Sequence, residues 1–216
     1  EHPVILLNTA NNSFFNSSTL NLTFTPSDNT GISSCSLYID GGLNQTKSPI
    51  TNGAATNFTL IGASEGQHTW FVGCNDTINL VNQSQIRTFT VDLDGIGVQL
   101  LYPFNGSNLF TSNVEFSFNV TDNLDPLLLC NITVNNAVVN VSIAVNGAIT
   151  NRTVSFSQGG FKLWNVTCID DASNRVVSET RNFTLAFAPV INLTSPSNNF
   201  YQNTSQIVLY YNATDD

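Results

Sequence analysis

An all-β fold of tandem sandwiches is expected, on three observations. Apolar residues alternate with polar ones at a period of two, and no 3.6-residue pattern is present. Short apolar runs are separated by turns rich in Asn, Gly, Ser and Asp. The whole pattern then recurs after about 93 residues, which marks a tandem array.

The repeat is visible residue by residue. Ile5 and Leu7 recur as Val98 and Leu100, then as Ile191 and Leu193, in steps of 93 residues. Leu20, Leu22 and Phe24 recur as Val114, Phe116 and Phe118, then as Ile207, Leu209 and Tyr211. Asp28 recurs as Asp122 and Asp215. Later in the unit the offset is 94: Trp70, Val72, Cys74 and Asp76 become Trp164, Val166, Cys168 and Asp170, and Arg87, Phe89 and Val91 become Arg181, Phe183 and Leu185. Repeat one therefore spans 1–94 and repeat two 95–187. Residues 188–216 hold the first strands of a third, truncated or completed by a neighbouring chain. In repeat one the alternation predicts strands near 4–8, 19–25, 35–40, 57–62, 68–75 and 86–92. A unit of this size made of short strands has the dimensions of an immunoglobulin-like sandwich. The expected architecture is all-β: tandem immunoglobulin-like β-sandwich domains, two complete and a third partial.

The cysteines fit that reading. Cys35 opens one predicted strand and Cys74 closes another, so antiparallel pairing sets them opposite each other. Both share the inward parity, with Leu37 and Ile39 on one strand and Trp70 and Val72 on the other. The same holds for Cys130 and Cys168. Bridges Cys35–Cys74 and Cys130–Cys168 are expected, each worth on the order of 4 kcal/mol in the chain-entropy model. They imply an oxidising compartment. The alternative is two pairs of buried free thiols. Trp70 and Trp164 have the same inward parity and are core residues rather than sugar-stacking platforms.

At this point the pattern resembles a family. Gly66-Gln67-His68-Thr69-Trp70-Phe71-Val72-Gly73-Cys74-Asn75-Asp76, followed by Ser84 and Arg87-Thr88-Phe89-Thr90-Val91-Asp92, is similar to the end of the tandem Ig-like repeats in surface proteins of prokaryotes, especially archaeal extracellular filament and sheath glycoproteins. Repeat two carries the pattern as Gly160, Trp164-Asn165-Val166-Thr167-Cys168-Ile169-Asp170, Asn174 and Arg181-Asn182-Phe183-Thr184-Leu185. The resemblance implies the fold and an extracellular, cell-surface location. It leaves the role open, because such repeats serve as spacers, adhesins, sheath layers and filament subunits.

Composition points the same way. Charged residues make up 10% of the chain, against roughly 25% in an ordinary domain. The net charge of −9 reflects few Lys and Arg, so there is no basic patch for nucleic acid. No apolar run approaches the ~18 residues of a membrane span, and no signal peptide is present. A start at Glu1-His2-Pro3, directly on a repeat boundary, fits a mature protein or a piece of a longer one. Asn, Ser and Thr supply the polar surface instead of charge. Of 31 Asn, 17 sit in N-x-[ST] sequons: Asn11, Asn16, Asn21, Asn44, Asn57, Asn75, Asn82, Asn105, Asn119, Asn131, Asn140, Asn151, Asn165, Asn182, Asn192, Asn203 and Asn212. Random placement gives about 6 to 7, so the excess marks N-glycosylation. The sequon spacing equals the strand period. In eight sequons the middle residue is a larger apolar one (Leu22, Phe58, Val120, Ile132, Val141, Val166, Phe183 and Leu193). Most are expected to point inward with the Asn outward. Asn119 is the expected exception, with Val120 falling past the strand end.

Catalytic signatures are absent: there is no G-x-S-x-G, H-E-x-x-H or P-loop. Of the two histidines, His68 lies on a strand and stands as Lys162 in repeat two, which argues for a structural role. No cofactor is expected beyond N-linked glycans, with one exception. Asp92-Leu93-Asp94-Gly95 lies where repeat one passes into repeat two, and Asp92 and Asp94 there are candidate Ca²⁺ ligands. Asp28, Asp76, Asp122, Asp125, Asp170 and Asp171 lie in loops able to approach them.

The expected function is a non-enzymatic structural subunit or segment of a glycosylated cell-surface filament, stalk or sheath. Its expected partners are copies of itself or further repeats of the same chain, head-to-tail. The alternative is an adhesin or carbohydrate-binding module, with Asn123–Leu129 as the candidate loop because it departs from its repeat-one twin. A surface hydrolase using this chain as a spacer is a third and weaker class. Intact mass of native material under non-reducing conditions is expected to exceed the bare polypeptide by the mass of many glycans. After deglycosylation it is expected to be four hydrogens light for the four cysteines. A mass equal to the reduced polypeptide overturns both expectations.

Overall fold

The computed structural model describes residues 1–203 and 205–214; Asp215, the third-repeat counterpart of Asp28, lies outside them. The described residues form β-strands and no helix. The chain divides into two compact units, the first comprising Glu1–Gly95 together with Asp122–Asp125 and Asp170–Arg175, the second holding the remainder.

The first unit is a two-sheet sandwich. One sheet orders β1 (Val4–Leu7), β3 (Leu20–Ser27) and β6 (Thr56–Leu60). The other orders β2 (Ser13–Phe15), β9 (Arg87–Val91), β7 (Gly66–Asp76), β4 (Ile32–Ile39) and β5 (Gly42–Lys47), with β8 (Val81–Gln83) also on β7. The first strand changes sheets: β1 runs antiparallel to β3, whereas β2 lies parallel to β9. The second unit repeats this arrangement. Its small sheet is β10 (Gly97–Tyr102), β12 (Asn113–Thr121) and β15 (Ile149–Ser155). Its large sheet is β11 (Ser107–Leu109), β18 (Arg181–Leu185), β16 (Gly160–Ile169), β13 (Leu127–Val134) and β14 (Ala137–Val145), with β17 (Arg175–Val177) on β16. β19 (Val190–Ser195) and β20 (Tyr210–Thr214) form a separate antiparallel pair.

Period-two burial builds both cores. In the first, Leu22, Phe24 and Phe58 from the small sheet meet Leu37, Trp70, Val72, Phe89 and Val91 from the large one, all fully buried or nearly so. Phe24 and Phe58 stack at 5.2 Å. In the second, Phe116 is edge-on to Trp164 at 5.0 Å and to Phe183 at 5.9 Å. Both disulfides form, Cys35–Cys74 and Cys130–Cys168. Each joins directly opposed residues of neighbouring strands, so the bridge lies within the large sheet instead of pinning the two sheets together as in antibody domains.

The six strands expected in repeat one are present, with β2, β5 and β8 added. β5 reads Gly-Leu-Asn-Gln-Thr-Lys and has no buried residue, so periodicity cannot reveal it. The turn before it does: Asp40 and Gly41 both have positive φ, as do Asn135 and Asn136 before β14, the requirement of a tight type I′ hairpin. Gly66 and Gly160 open β7 and β16 at φ of 112° and 93°, a conformation that excludes a Cβ residue and accounts for glycine in both repeats.

Two sequon expectations are corrected. β12 runs on to Thr121, and Val120 is fully buried, so Asn119 is no exception. Val141 is 59% exposed because inward parity on β14 belongs to Ala144, opposite buried Leu128. Leu193, on β19, is also exposed.

Phe116→Ala empties the centre of an aromatic cluster and is expected to cost the second unit about 3–5 kcal/mol. Denaturant unfolding followed by the fluorescence of the adjoining Trp164 measures the loss.

Candidate functional site

None of the seventeen sequon asparagines is buried. Asn11, Asn16, Asn21, Asn44, Asn75, Asn82, Asn105, Asn151, Asn192, Asn203 and Asn212 are exposed, and Asn57, Asn119, Asn131, Asn140, Asn165 and Asn182 are half-buried. Three amide nitrogens, the atoms a glycan would be attached to, already donate within the protein. Asn57 Nδ2 donates to Asn21 Oδ1 at 2.9 Å, Asn82 Nδ2 to the Pro3 carbonyl at 2.8 Å and Asn182 Nδ2 to Asn105 Oδ1 at 3.0 Å.

His68 projects from β7 into a polar lock. Its Nδ1 is 2.7 Å from Asp40 Oδ2, and its Nε2 is 3.0 Å from the Ser64 carbonyl and 3.2 Å from Ser64 Oγ. The Asp–His–Ser connectivity is that of a hydrolytic triad, but the roles are wrong. A carboxylate and a carbonyl both only accept, so each ring nitrogen faces an acceptor and the arrangement favours the protonated ring. In that form Nε2 has no lone pair to take the Ser64 proton. Burial pulls the His68 pKa down, but the bonds to Asp40 and the Ser64 carbonyl outweigh it and the net shift is upward. Burial raises Asp40, and the bonds from His68 and the Thr69 N–H outweigh it, so its net shift is downward.

The second arrangement is an acidic cluster built wholly within the first unit. Asp92 follows β9, and its backbone is fixed at both ends: its N–H donates to the Phe15 carbonyl at 2.9 Å and its carbonyl accepts from Asn174 Nδ2 at 3.1 Å. Asp122 closes a turn after β12, with Oδ1 accepting the N–H groups of Leu124 and Asp125, each at 2.9 Å. That turn delivers Asp125, whose Oδ2 accepts from the Asp171 N–H at 3.1 Å. Asp92, Asp122 and Asp125 each bring a carboxylate oxygen within 4.8 Å of the others. Asp92 is 1% exposed, and neither of its carboxylate oxygens has a hydrogen-bond partner. Burial, then the charges of Asp122, Asp170, Glu65 and Asp125, push its pKa up to about 6. Asp125 is also raised, chiefly by burial.

The repeat separates turn chemistry from the rest. Asp28 and Asp76, the twins of Asp122 and Asp170, hold the same turns: Asp28 Oδ1 accepts from Thr30 N–H at 2.7 Å, and Asp76 Oδ1 from Ile78 and Leu80 N–H at 2.9 and 2.8 Å. Asp92 and Asp125 have no acidic twin, since their counterparts at offset 94 are Ala186 and Gly31. Asp94 stands outside the three-carboxylate group and accepts from Asn123 Nδ2 at 3.3 Å. Glu65, not anticipated from sequence, binds the Leu93 N–H at 3.0 Å and Asn123 Nδ2.

A scan against protein-family models and a search of curated proteins each found no match. Solved structures do match. The fibronectin(III)-like modules of Clostridium thermocellum CbhA align over 84% of this chain and 93% of theirs, with a TM-score of 0.55 and 13% identity. A marsupial T cell receptor aligns over 89% of this chain and 78% of its own, with a TM-score of 0.57 and 8% identity. At these identities the likeness concerns fold alone. The chain is an all-β protein of tandem immunoglobulin-like sandwiches.

The His68 lock predicts a pH dependence. A histidine whose folded pKa lies above its unfolded value of 6.5 contributes stability in full below that value and loses it as pH rises through the folded pKa. Asp40 is half exposed, so the effect is modest. Thermal melts of the first unit are expected to fall as pH is raised through that window, and His68→Gln to flatten the dependence.

Proposed function

We propose that this chain is a structural segment of a heavily N-glycosylated cell-surface filament, stalk or sheath, assembled head-to-tail from immunoglobulin-like sandwiches and without a catalytic role. The observation that carries the reading is the β19–β20 hairpin and the residues just before β20. Leu193, Ile207, Leu209 and Tyr211 are 58–72% exposed, while their repeat-two twins Leu100, Val114, Phe116 and Phe118 are at most 2% exposed. The same apolar face is core in one setting and bare in the other. Strands of the kind that cover it in the first two repeats are its natural complement, supplied by another copy of the chain or by a further repeat of the same chain.

The remaining features support an extracellular setting. Two disulfides fit an oxidising compartment, and accessible sequons on both units provide attachment points for a sugar coat. No helix among the described residues is long and apolar enough to cross a membrane. The Asn123–Leu129 segment, the candidate ligand loop of the adhesin alternative, places Asp125 in the acidic cluster and Asn123 against Glu65, so its departure from the repeat-one twin has an explanation without a ligand loop.

Electron microscopy of native surface material is expected to show linear polymers of sandwich-sized beads, and isolated globular particles at every concentration overturn the proposal. In the isolated full chain, Leu209→Asp is expected to abolish self-association while leaving the circular dichroism of the two sandwiches unchanged.

A further inference from the structure

We infer that the Asp92, Asp122 and Asp125 cluster is a Ca²⁺ site. Acidic side chains gathered at a loop are common and by themselves indicate nothing. Asp92 is different. It is almost wholly inaccessible, both of its carboxylate oxygens lack a partner, and it shares a 4.8 Å neighbourhood with two further carboxylates. A buried carboxylate without a counter-charge is among the least favourable arrangements in a protein. Placing more negative charge around it worsens the cost. A cation removes both penalties at once.

The geometry suits one ion. Ca²⁺ binds oxygen at 2.3–2.6 Å, so ligands on opposite sides of it stand about 4.6–5.2 Å apart. One oxygen from each of the three, all within 4.8 Å of one another, fit on one such sphere. The donor set is all carboxylate, without His or Cys, which argues against Zn²⁺. Mg²⁺ holds its water and demands a regular octahedron, a poor match to a pocket whose central ligand is sealed from solvent. Asp170 and Glu65 add field at Asp92 without belonging to the three-carboxylate group, and Asp94 lies outside that group against Asn123 Nδ2.

Sequence within the repeat provides an internal contrast. Turn acids recur in both repeats, but Asp92 and Asp125 are replaced by Ala186 and Gly31 at the twin positions. Two of the three proposed ligands are therefore absent from the shared sandwich pattern. Bound there, the ion ties the end of β9 to the Asp122–Asp125 turn, all inside the first compact unit.

The test uses the full, disulfide-bonded chain freed of metal by EDTA and dialysis. Titration calorimetry with CaCl₂ is expected to show one site per chain, and millimolar Ca²⁺ to raise the melting temperature of the first unit by on the order of 5–10 °C. Mg²⁺ at the same concentration is expected to give a much smaller shift. Asp92→Asn is expected to weaken Ca²⁺ binding at least tenfold while leaving the metal-free protein as stable as the parent or more so, since it removes the unpartnered charge. Asp28→Asn, at the twin turn, is expected to keep the full response. Absence of binding heat and of a melting shift in the parent chain overturns the inference, as does an undiminished Ca²⁺ response in Asp92→Asn.

Discussion

A β-strand sends successive side chains to opposite faces, and burial, cross-linking and the polar exterior of this chain all hang on that alternation. Leu22, Phe58, Ile132, Val166 and Phe183 fill the cores from the middle of Asn-x-Thr triplets. The residues on either side of each lie on the opposite face of the pleat, exposed or half-buried except for Thr167, which is buried. The cysteines obey the rule too, since both bridges join inward-facing residues directly across a strand pair. A chain with 10% charged residues cannot rely on Lys and Glu to keep its faces wet, and Asn and Thr take that position.

What the sequence made legible follows from this. Strands that place two or more residues in a core announced themselves by alternation, and so did both disulfides. Strands without that burden did not. β5 has no buried residue, and β2, only three residues long, rests on its parallel contact with β9. The Asp40-Gly41 pair carried the signal for β5 as turn chemistry, a different kind of evidence from periodicity. Val120 and Val141 show how parity is decided by pairing: β12 keeps its phase to Thr121, and Ala144 opposite Leu128 sets the phase of β14.

The acidic residues show the same divide. Asp94 looked equivalent to Asp92 in the sequence, two residues away on one short segment. The fold sets them apart, because Asp92 still belongs to the inner end of β9's course while Asp94 has left it. Glu65 was invisible as a neighbour of the group, since only tertiary folding brings the segment before β7 beside Leu93 and Asn123. Asp122, by contrast, is placed by its own turn, which also aims Asp125. Local chemistry fixes half of such a cluster, and long-range pairing fixes the rest.

The placement of the disulfides within one sheet has a mechanical side. Cys35 and Cys74 are 39 residues apart in sequence and Cys130 and Cys168 are 38 apart. When a strand-built chain is pulled by its ends, residues enclosed by such a bridge cannot be drawn out, because the load passes directly from one sulfur to the other. At about 3.4 Å per extended residue, each bridge withholds roughly 130 Å of slack. Only the residues outside the two enclosed loops can lengthen such a chain under load, so its reach is set by where the bridges fall and not by its full residue count.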